Sequence, residues 1–201
     1  MNKFTLATIA LTFFSFAKTQ AQVTFKPGIH AGVNVSKITN TDLGSKTDFY
    51  LGGFGALKLG KVYTLQPELT YSRQGGKGPA YMLATQSNQN IDVSLQYISA
   101  LTINKFNFTP NIYALAGPFA DILIADDIKV NSNNTVRNFS KGEDVDFGVV
   151  AGLGYSLKNG IAFEARIKKG FTNAYINYSD ESGDGNNLVF QFGAAYTFGK
   201  K

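Results

Sequence analysis

The sequence predicts an all-β protein with the architecture of an eight-stranded antiparallel up-and-down transmembrane β-barrel. Three observations support this fold class: apolar and polar side chains alternate along several segments, the number of these segments is even, and their connections divide into short and long ones. Because successive side chains of a strand point to opposite faces, alternation gives a strand one apolar face. A closed sheet with lipid outside and polar groups inside requires such strands.

Residues 1–21 are predicted to be a cleaved signal peptide. Lys3 precedes the apolar run 4–16, and the small residues Thr19 and Ala21 mark a cleavage site before Gln22. The alternative reading of this segment is a buried N-terminal helix. Cleavage implies export from the cytoplasm and leaves residues 22–201 as a single domain.

Composition narrows the class of protein without deciding it. The signal contains Lys3 and Lys18 and no acid, so its removal lowers the net charge from +5 to +3, too small a charge for a nucleic-acid footprint. Cysteine is absent, which excludes disulfides and thiolate metal sites. The 21 glycines, 10 tyrosines and 17 phenylalanines suit curved strands with interfacial rings. A secreted soluble β-sandwich could share this composition.

Alternation of side chains predicts the individual strands. In one of the clearest segments Phe163 and Ile167 share one face, whereas Glu164 and Arg166 share the other. We expect the apolar faces to contact lipid, and we expect a bulge at Gly117-Pro118, because proline cannot donate to the ladder. The eight predicted strands are 29–36, 49–60, 62–74, 91–103, 108–124, 145–157, 160–169 and 188–198.

The connections between these strands alternate between short turns and long loops. Asn159-Gly160 is a pair typical of tight hairpins. Outer-membrane barrels have short periplasmic turns at one end and longer extracellular loops at the other, whereas a soluble sandwich has no reason to sort its loops in this way. The predicted turns are 60–61, 104–107 and 158–160, and the predicted loops are 37–48, 75–90, 125–144 and 170–187.

Aromatic residues cluster near the predicted strand ends. Girdles of aromatic residues at both interfaces are typical of transmembrane barrels, although aromatic residues also cap ordinary β cores. The residues towards the turns are Tyr63, Phe108, Tyr155 and Phe198, and those towards the loops are Phe49, Tyr71 and Phe171.

Several runs resemble the PorT-type family of outer-membrane β-barrel proteins. The resemblance covers nearly all of residues 22–201, and it implies an eight-stranded barrel similar to small barrels such as OmpX and the OmpA membrane domain. Some members of the family are linked to secretion machinery, and no catalytic motif is implied. The runs are Leu65-Gln66-Pro67-Glu68-Leu69-Thr70-Tyr71-Ser72, Gln74-Gly75, Ala116-Gly117-Pro118, Phe147-Gly148-Val149-Val150-Ala151-Gly152-Leu153-Gly154, Glu164-Ala165-Arg166 and Lys169-Gly170-Phe171.

The inward faces of two predicted strands carry the most informative polar residues. Glu68 lies about as far from its turn as Arg166 lies from the turn at 158–160, so both should reach a similar depth, with Glu164 one inward step below Arg166. Charges inside a narrow barrel must pair, because unpaired buried charges are costly. We therefore predict a lumen salt-bridge cluster of Glu68, Glu164 and Arg166, joined by Lys168 and Asp146. This cluster has two possible roles. As a plug it would fix the register of the strands, and as a switchable gate it would close a narrow pore.

Three other motifs have weaker functional interpretations. The run 55–61 is similar to a phosphate-binding loop but continues with Val62 in place of Ser or Thr. The run 180–186 begins like a calcium loop but has Gln191 at the twelfth position. His30 is the single histidine; we expect it to face inward without the other members of a catalytic triad.

The sequence thus predicts an outer-membrane β-barrel domain over residues 22–201, with a plugged polar lumen, surface-exposed loops, no enzymatic activity and no cofactor. Its expected partners are outer-membrane lipid, the barrel-assembly machinery during biogenesis and a protein that contacts the loops, in a role that includes secretion. We expect a monomer and no nucleic acid. Two alternatives remain open: a narrow pore for ions or small solutes, and a lipid-modifying enzyme that uses His30.

Overall fold

The computed structural model describes residues 23–82, 87–130, 134–135, 143–173 and 185–199, so the predicted signal peptide and most of the calcium-like run 180–186 lie outside the described residues. Within this part of the chain, no helix is long and apolar enough to cross a membrane. A two-residue segment, Asn134–Thr135, pairs with the end of the fifth strand. The eight long strands are β1 (Thr24–Ile38), β2 (Gly44–Lys58), β3 (Tyr63–Met82), β4 (Ser87–Asn107), β5 (Ile112–Val130), β6 (Val145–Ser156), β7 (Ile161–Gly170) and β8 (Asn187–Thr197).

The eight strands close into one ring. Each strand pairs antiparallel with its neighbours in the chain, and β8 pairs with β1 from Gly28↔Thr197 to Ile38↔Asn187. Closure gives every strand a partner on both sides, which a sheet surrounded by lipid needs because lipid offers no hydrogen bonds to an open edge. The predicted eight-stranded up-and-down barrel is confirmed.

Side-chain alternation follows the prediction in most strands. On β3, Leu69 points outward and is 62% exposed, whereas its neighbour Glu68 is 5% exposed. On β7, Phe163 and Ile167 point outward while Glu164 and Arg166 are buried inside. The wall of the barrel is therefore apolar outside and polar inside along these strands.

The strand β4 reverses the expected pattern, and its assignment to lipid was wrong. Its large apolar side chains point into the barrel, where Val93 and Tyr97 are fully buried, while Asp92 and Ser94 lie on the outer face. For the loop-side part of the strand, which carries Val93 and Tyr97, the physical reason is the length of β4, which spans 21 residues. A transmembrane strand needs about 9–11 residues, so part of β4 extends beyond the lipid, where water surrounds the wall and the pattern of a soluble protein applies.

Apolar side chains also fill two regions of the interior, so the lumen is less polar than predicted. The loop-side cluster lies at the end of the barrel where the loops are, and Leu43 of the first loop covers it. The turn-side cluster lies in the other part of the barrel. The loop-side cluster contains Ile38, Leu43, Ile91, Val93, Leu95, Tyr97 and Ile128; the turn-side cluster contains Phe54, Leu101, Ile103, Tyr113, Leu115, Phe119, Val150, Ala162 and Ala195.

The short turns lie at one end, as expected, but one was misplaced. Strand β4 continues through the predicted turn 104–107, and the chain turns at 108–111 instead, where the Thr109 hydroxyl oxygen accepts hydrogen bonds from the backbone N–H groups of Asn111 (3.2 Å) and Ile112 (2.9 Å). The turn between β6 and β7 falls at 157–160, and Gly160 adopts the positive φ of 89° that a hairpin turn needs.

The strands extend into the predicted loops. The predicted loop 75–90 is mostly strand, because β3 runs to Met82 and β4 starts at Ser87, and β5 continues to Val130. The predicted bulge at Gly117-Pro118 is also wrong, since the register of β5 with β6 is continuous there. The irregularity lies nearer the loops, where Gln96 and Tyr97 of β4 face Ala125 and Leu123, which leaves Ile124 as the extra residue.

Aromatic side chains occupy the outer face near both ends of the barrel. At the turn end Phe108 is 68% exposed and Tyr196 packs edge-on against Phe198 with ring centroids 5.1 Å apart. At the loop end Phe49 packs against Tyr71 at 5.9 Å. These two bands have the positions of interfacial girdles in a transmembrane barrel.

Candidate functional site

The candidate site is an ion-pair network in the interior, built on β3 and β7. Alternation directs Glu68 of β3 and both Glu164 and Arg166 of β7 inward, and their side chains are at most 3% exposed. The two strands do not pair with each other, so the side chains meet across the lumen. A narrow eight-stranded barrel brings opposite walls close enough for such contacts.

Arg166 joins the two carboxylates. Its two terminal nitrogens donate to Glu68, with Nη1 2.7 Å from Oε2 and Nη2 2.9 Å from Oε1. Its Nε and Nη2 also donate to Oε2 of Glu164, at 2.8 and 2.5 Å. This planar, two-sided geometry uses the guanidinium fork in a way that a lysine ammonium cannot reproduce.

Two further residues complete the environment of Glu164. Lys105 on β4 donates to its Oε1 at 2.7 Å, and the hydroxyl of Tyr113 on β5 donates to the same oxygen at 2.5 Å. The Lys105 ammonium also lies 4.6 Å from the centre of the Tyr113 ring, in cation–π range. We call the set Glu68, Glu164, Arg166, Lys105 and Tyr113 the central network.

Sequence reasoning missed Lys105 because residues 104–107 were assigned to a turn. Its face was also misassigned: Lys105 shares the parity of Leu101 and Ile103, which point into the lumen, whereas the apolar face of β4 was expected to contact lipid. With Lys105 included, two cations face two carboxylates, so the formal charges of the central network balance. A balanced and fully hydrogen-bonded set avoids the cost of leaving a charge buried and unpaired.

His30 lies beside the central network as a neighbour of Glu68. Its Nε2 is 2.9 Å from the Thr70 hydroxyl oxygen, and its Nδ1 is 3.9 Å from Oε2 of Glu68. The Gln66 amide donates to Glu68 at 2.7 Å, so Glu68 has a second hydrogen-bond donor besides Arg166. His30 is 4% exposed and points into the lumen, away from the lipid-facing surface.

Lys168 and Asp146 lie outside the central network. Lys168 pairs with Asp121 of β5 through distances of 2.7 and 2.6 Å, and the Gln74 amide donates to the same carboxylate at 3.0 Å. Asp146 instead accepts hydrogen bonds from the backbone and hydroxyl groups of Thr172, at 3.1 and 2.7 Å. The structure thus brings together three of the five predicted residues and gives the other two different partners.

Glycines on the inner wall make room for large side chains from other strands. A Cβ atom on Gly193 or Gly32 would overlap the ring of Tyr50, and one on Gly154 would overlap the ring of Tyr113. Absence of a side chain at these positions therefore lets the two tyrosine rings lie over neighbouring strands on the inner wall. These glycines are therefore packing sites for side chains of the interior.

Two cavities of very different size border the ion pairs of the described residues. One of about 10 Å³ lies between His30, Arg166 and Lys168 and has room for about one water molecule. A wider vestibule of about 710 Å³ opens at the turn end and reaches as far as Gln66 and Lys105. The central network forms the inner limit of this vestibule and separates it from the loop side.

Comparison with known proteins identifies the family. A family model for the outer membrane protein beta-barrel domain matches residues 6–198. The chain belongs to this family. The protein is therefore an outer-membrane β-barrel, and in barrels of this class short turns face the periplasm and longer loops face outside.

Solved structures similar to this chain are small outer-membrane barrels. Neisserial surface protein A superposes with a TM-score of 0.51 at 16% identity, covering 87% of this chain and 97% of that one. OprG from Pseudomonas aeruginosa has a TM-score of 0.48 at 11% identity over 90% and 99% of the two chains. Ail of Yersinia pestis has 0.47 at 15% identity over 86% and 98%. At 16% identity, the similarity to Neisserial surface protein A supports the fold alone. No curated protein matched the chain.

Proposed function

We propose that this protein is a closed, non-enzymatic outer-membrane barrel in which the central network acts as a fixed plug and the extracellular wall contacts a partner. The observation that carries the proposal is the filled interior. The central network and the Lys168–Asp121 pair occupy successive levels of the lumen, and the loop-side cluster fills the level above them. Each level would have to rearrange before solute could pass.

The extracellular part of the barrel supports a role in contact with a partner. Strands β3, β4 and β5 continue beyond the length that lipid requires, and the loop-side cluster gives this projecting wall a core of its own. A wall with a packed core is a rigid surface, and rigidity lowers the entropic cost of binding. The proposal has three further parts. The partner is a protein, the barrel is related to the PorT-type barrels, and its role is accessory to secretion.

A lipid-modifying enzyme fits the geometry less well. Such an enzyme needs its base beside a nucleophile that lipid can reach. His30 contacts the hydroxyl of Thr70, but both residues are at most 4% exposed and face the lumen. The proposal therefore assigns His30 to packing and hydrogen bonding inside the plug.

Conductance across planar lipid bilayers tests the plug against the alternative of a gated pore. The wild-type protein should give no steady single-channel current, because its ion pairs and apolar clusters block the lumen. Arg166→Ala should also stay closed, since the loop-side cluster remains, and Lys58→Ala at the exposed turn end serves as the control. A steady wild-type current that changes in Arg166→Ala but not in Lys58→Ala would contradict the proposal and support the pore.

A further inference from the structure

Two lysines lie side by side on the outer face of the barrel near the loop end. Lys37 of β1 and Lys169 of β7 both pair in register with Leu188 of β8, the strand between them. The three side chains therefore form one row across the wall. Because neighbouring strands lie about 4.8 Å apart, the Cα atoms of the two lysines are about 10 Å apart.

An apolar row lies directly beneath these lysines, on the side of the membrane centre. Phe190 of β8 pairs in register with Val35 of β1 and with Ile167 of β7. Phe190 is 44% exposed and Ile167 is 42% exposed, so this row belongs to the lipid-facing surface. The two lysines therefore lie at the edge of the apolar, lipid-facing surface. This edge is the level of the lipid headgroups in the outer leaflet.

In the part of the chain that the structure describes, the two ammonium groups lie on the outer face without an acidic partner. Among the described residues, no acid forms an ion pair with Lys37 or Lys169; the Lys169 ammonium donates to the Thr39 hydroxyl at 3.3 Å. Arg73 of β3, at the same end of the outer face, differs because it pairs with Asp48 at 3.3 Å. Within the described residues, the positive charge on β1 and β7 can therefore pair with an external anion.

We propose that Lys37 and Lys169 bind the phosphate group of a phosphorylated lipid in the outer leaflet. The acyl chains of this lipid would pack against Val35, Phe190 and Ile167, while the two ammonium groups hold the phosphate above Leu188. The neighbouring Phe171 is 62% exposed and offers a ring at the same level. Long cationic side chains at the end of an apolar surface commonly reach for headgroups in this way.

Native mass spectrometry of the full barrel in detergent micelles can measure this binding, with monophosphoryl lipid A as the probe. The double variant Lys37→Gln with Lys169→Gln should bind about thirtyfold more weakly than the wild type, which corresponds to about 1 kcal/mol for each lysine. The control is Lys77→Gln with Lys129→Gln, which removes two exposed cations, one of them paired with Asp127, from strands on the other side of the barrel. This control should keep wild-type affinity.

Further probes distinguish a lipid site from a site for free phosphate. Lipid A without its phosphate should bind the wild type as weakly as monophosphoryl lipid A binds the double variant. Inorganic phosphate at equal concentration should not displace the lipid; displacement would overturn the lipid assignment. Equal affinity in the wild type and the double variant, or an equal loss in the control, would overturn the site itself. If the double variant does not fold, Lys37→Gln alone should show about a fivefold loss.

Discussion

Replacing Arg166 by alanine removes the shared partner of two buried carboxylates. Glu68 would keep only the Gln66 amide as a hydrogen-bond donor at 2.7 Å, with Nδ1 of His30 at 3.9 Å. Glu164 would keep the ammonium of Lys105, so the larger loss falls on Glu68. Removing one partner of a buried ion pair costs about 3–5 kcal/mol, and we expect a loss in the free energy of unfolding within this range.

The double variant Arg166→Met with Glu68→Gln separates the cost of the unpaired charge from the cost of lost packing. Glutamine is uncharged and methionine retains apolar volume, so this variant no longer has a carboxylate without a cation at this position. It should therefore recover most of the stability that Arg166→Ala loses. Urea unfolding in lipid vesicles, with folded barrel separated from unfolded chain by gel mobility without boiling, measures both variants.

Lys58→Ala is the control for this series, because Lys58 lies exposed at the turn end. Its free energy of unfolding should match the wild type. The reasoning is refuted if Arg166→Ala costs less than about 1 kcal/mol, the value of an exposed pair. It is also refuted if the double variant is no more stable than Arg166→Ala, since the unpaired Glu68 would then not be the source of the loss.

Two more substitutions test the wall of the barrel. Gly193→Ala should lower the free energy of unfolding by about 1–3 kcal/mol, because its Cβ would overlap the Tyr50 ring, whereas Gly60→Ala, which meets nothing within 4 Å, should be neutral in the same urea titration. Leu69→Lys places a charge against lipid and should cost about 2–4 kcal/mol, while Thr47→Lys at the loop end should cost less than about 1 kcal/mol. Equal effects of the two glycine substitutions would contradict the assigned packing. Equal effects of the two lysine substitutions would contradict the assigned depth in the membrane.

The fold was predictable from the sequence because its signals are local. Alternation along β3 and β7 depends only on neighbouring residues, and the Asn159-Gly160 pair contains the residue that a tight turn requires at positive φ. The pairing of Glu68 with Arg166 was also accessible, because both residues could be counted from their turns. Such reasoning works where strand direction and turn position are clear.

The partners of the other charged residues were not predictable in this way. Lys105 was missed because the turn was placed four residues too early along β4, and Asp121 was missed because β5 lacks clear alternation. Asp146 was assigned to the cluster from its parity alone. Parity gives the face of a side chain, but its partner depends on which residues of distant strands reach the same depth.

The sequence by itself determined the number of strands, their order and the face of most side chains, because these follow from the period of two along each strand and from the turn residues. Only the tertiary structure decided which charges meet across the lumen, where β4 leaves the lipid and which lysines share a row on the outer face. These properties depend on register around the closed ring. The register around the ring is the sum of the offsets between the strands of all eight pairs, so no single segment of the sequence determines it.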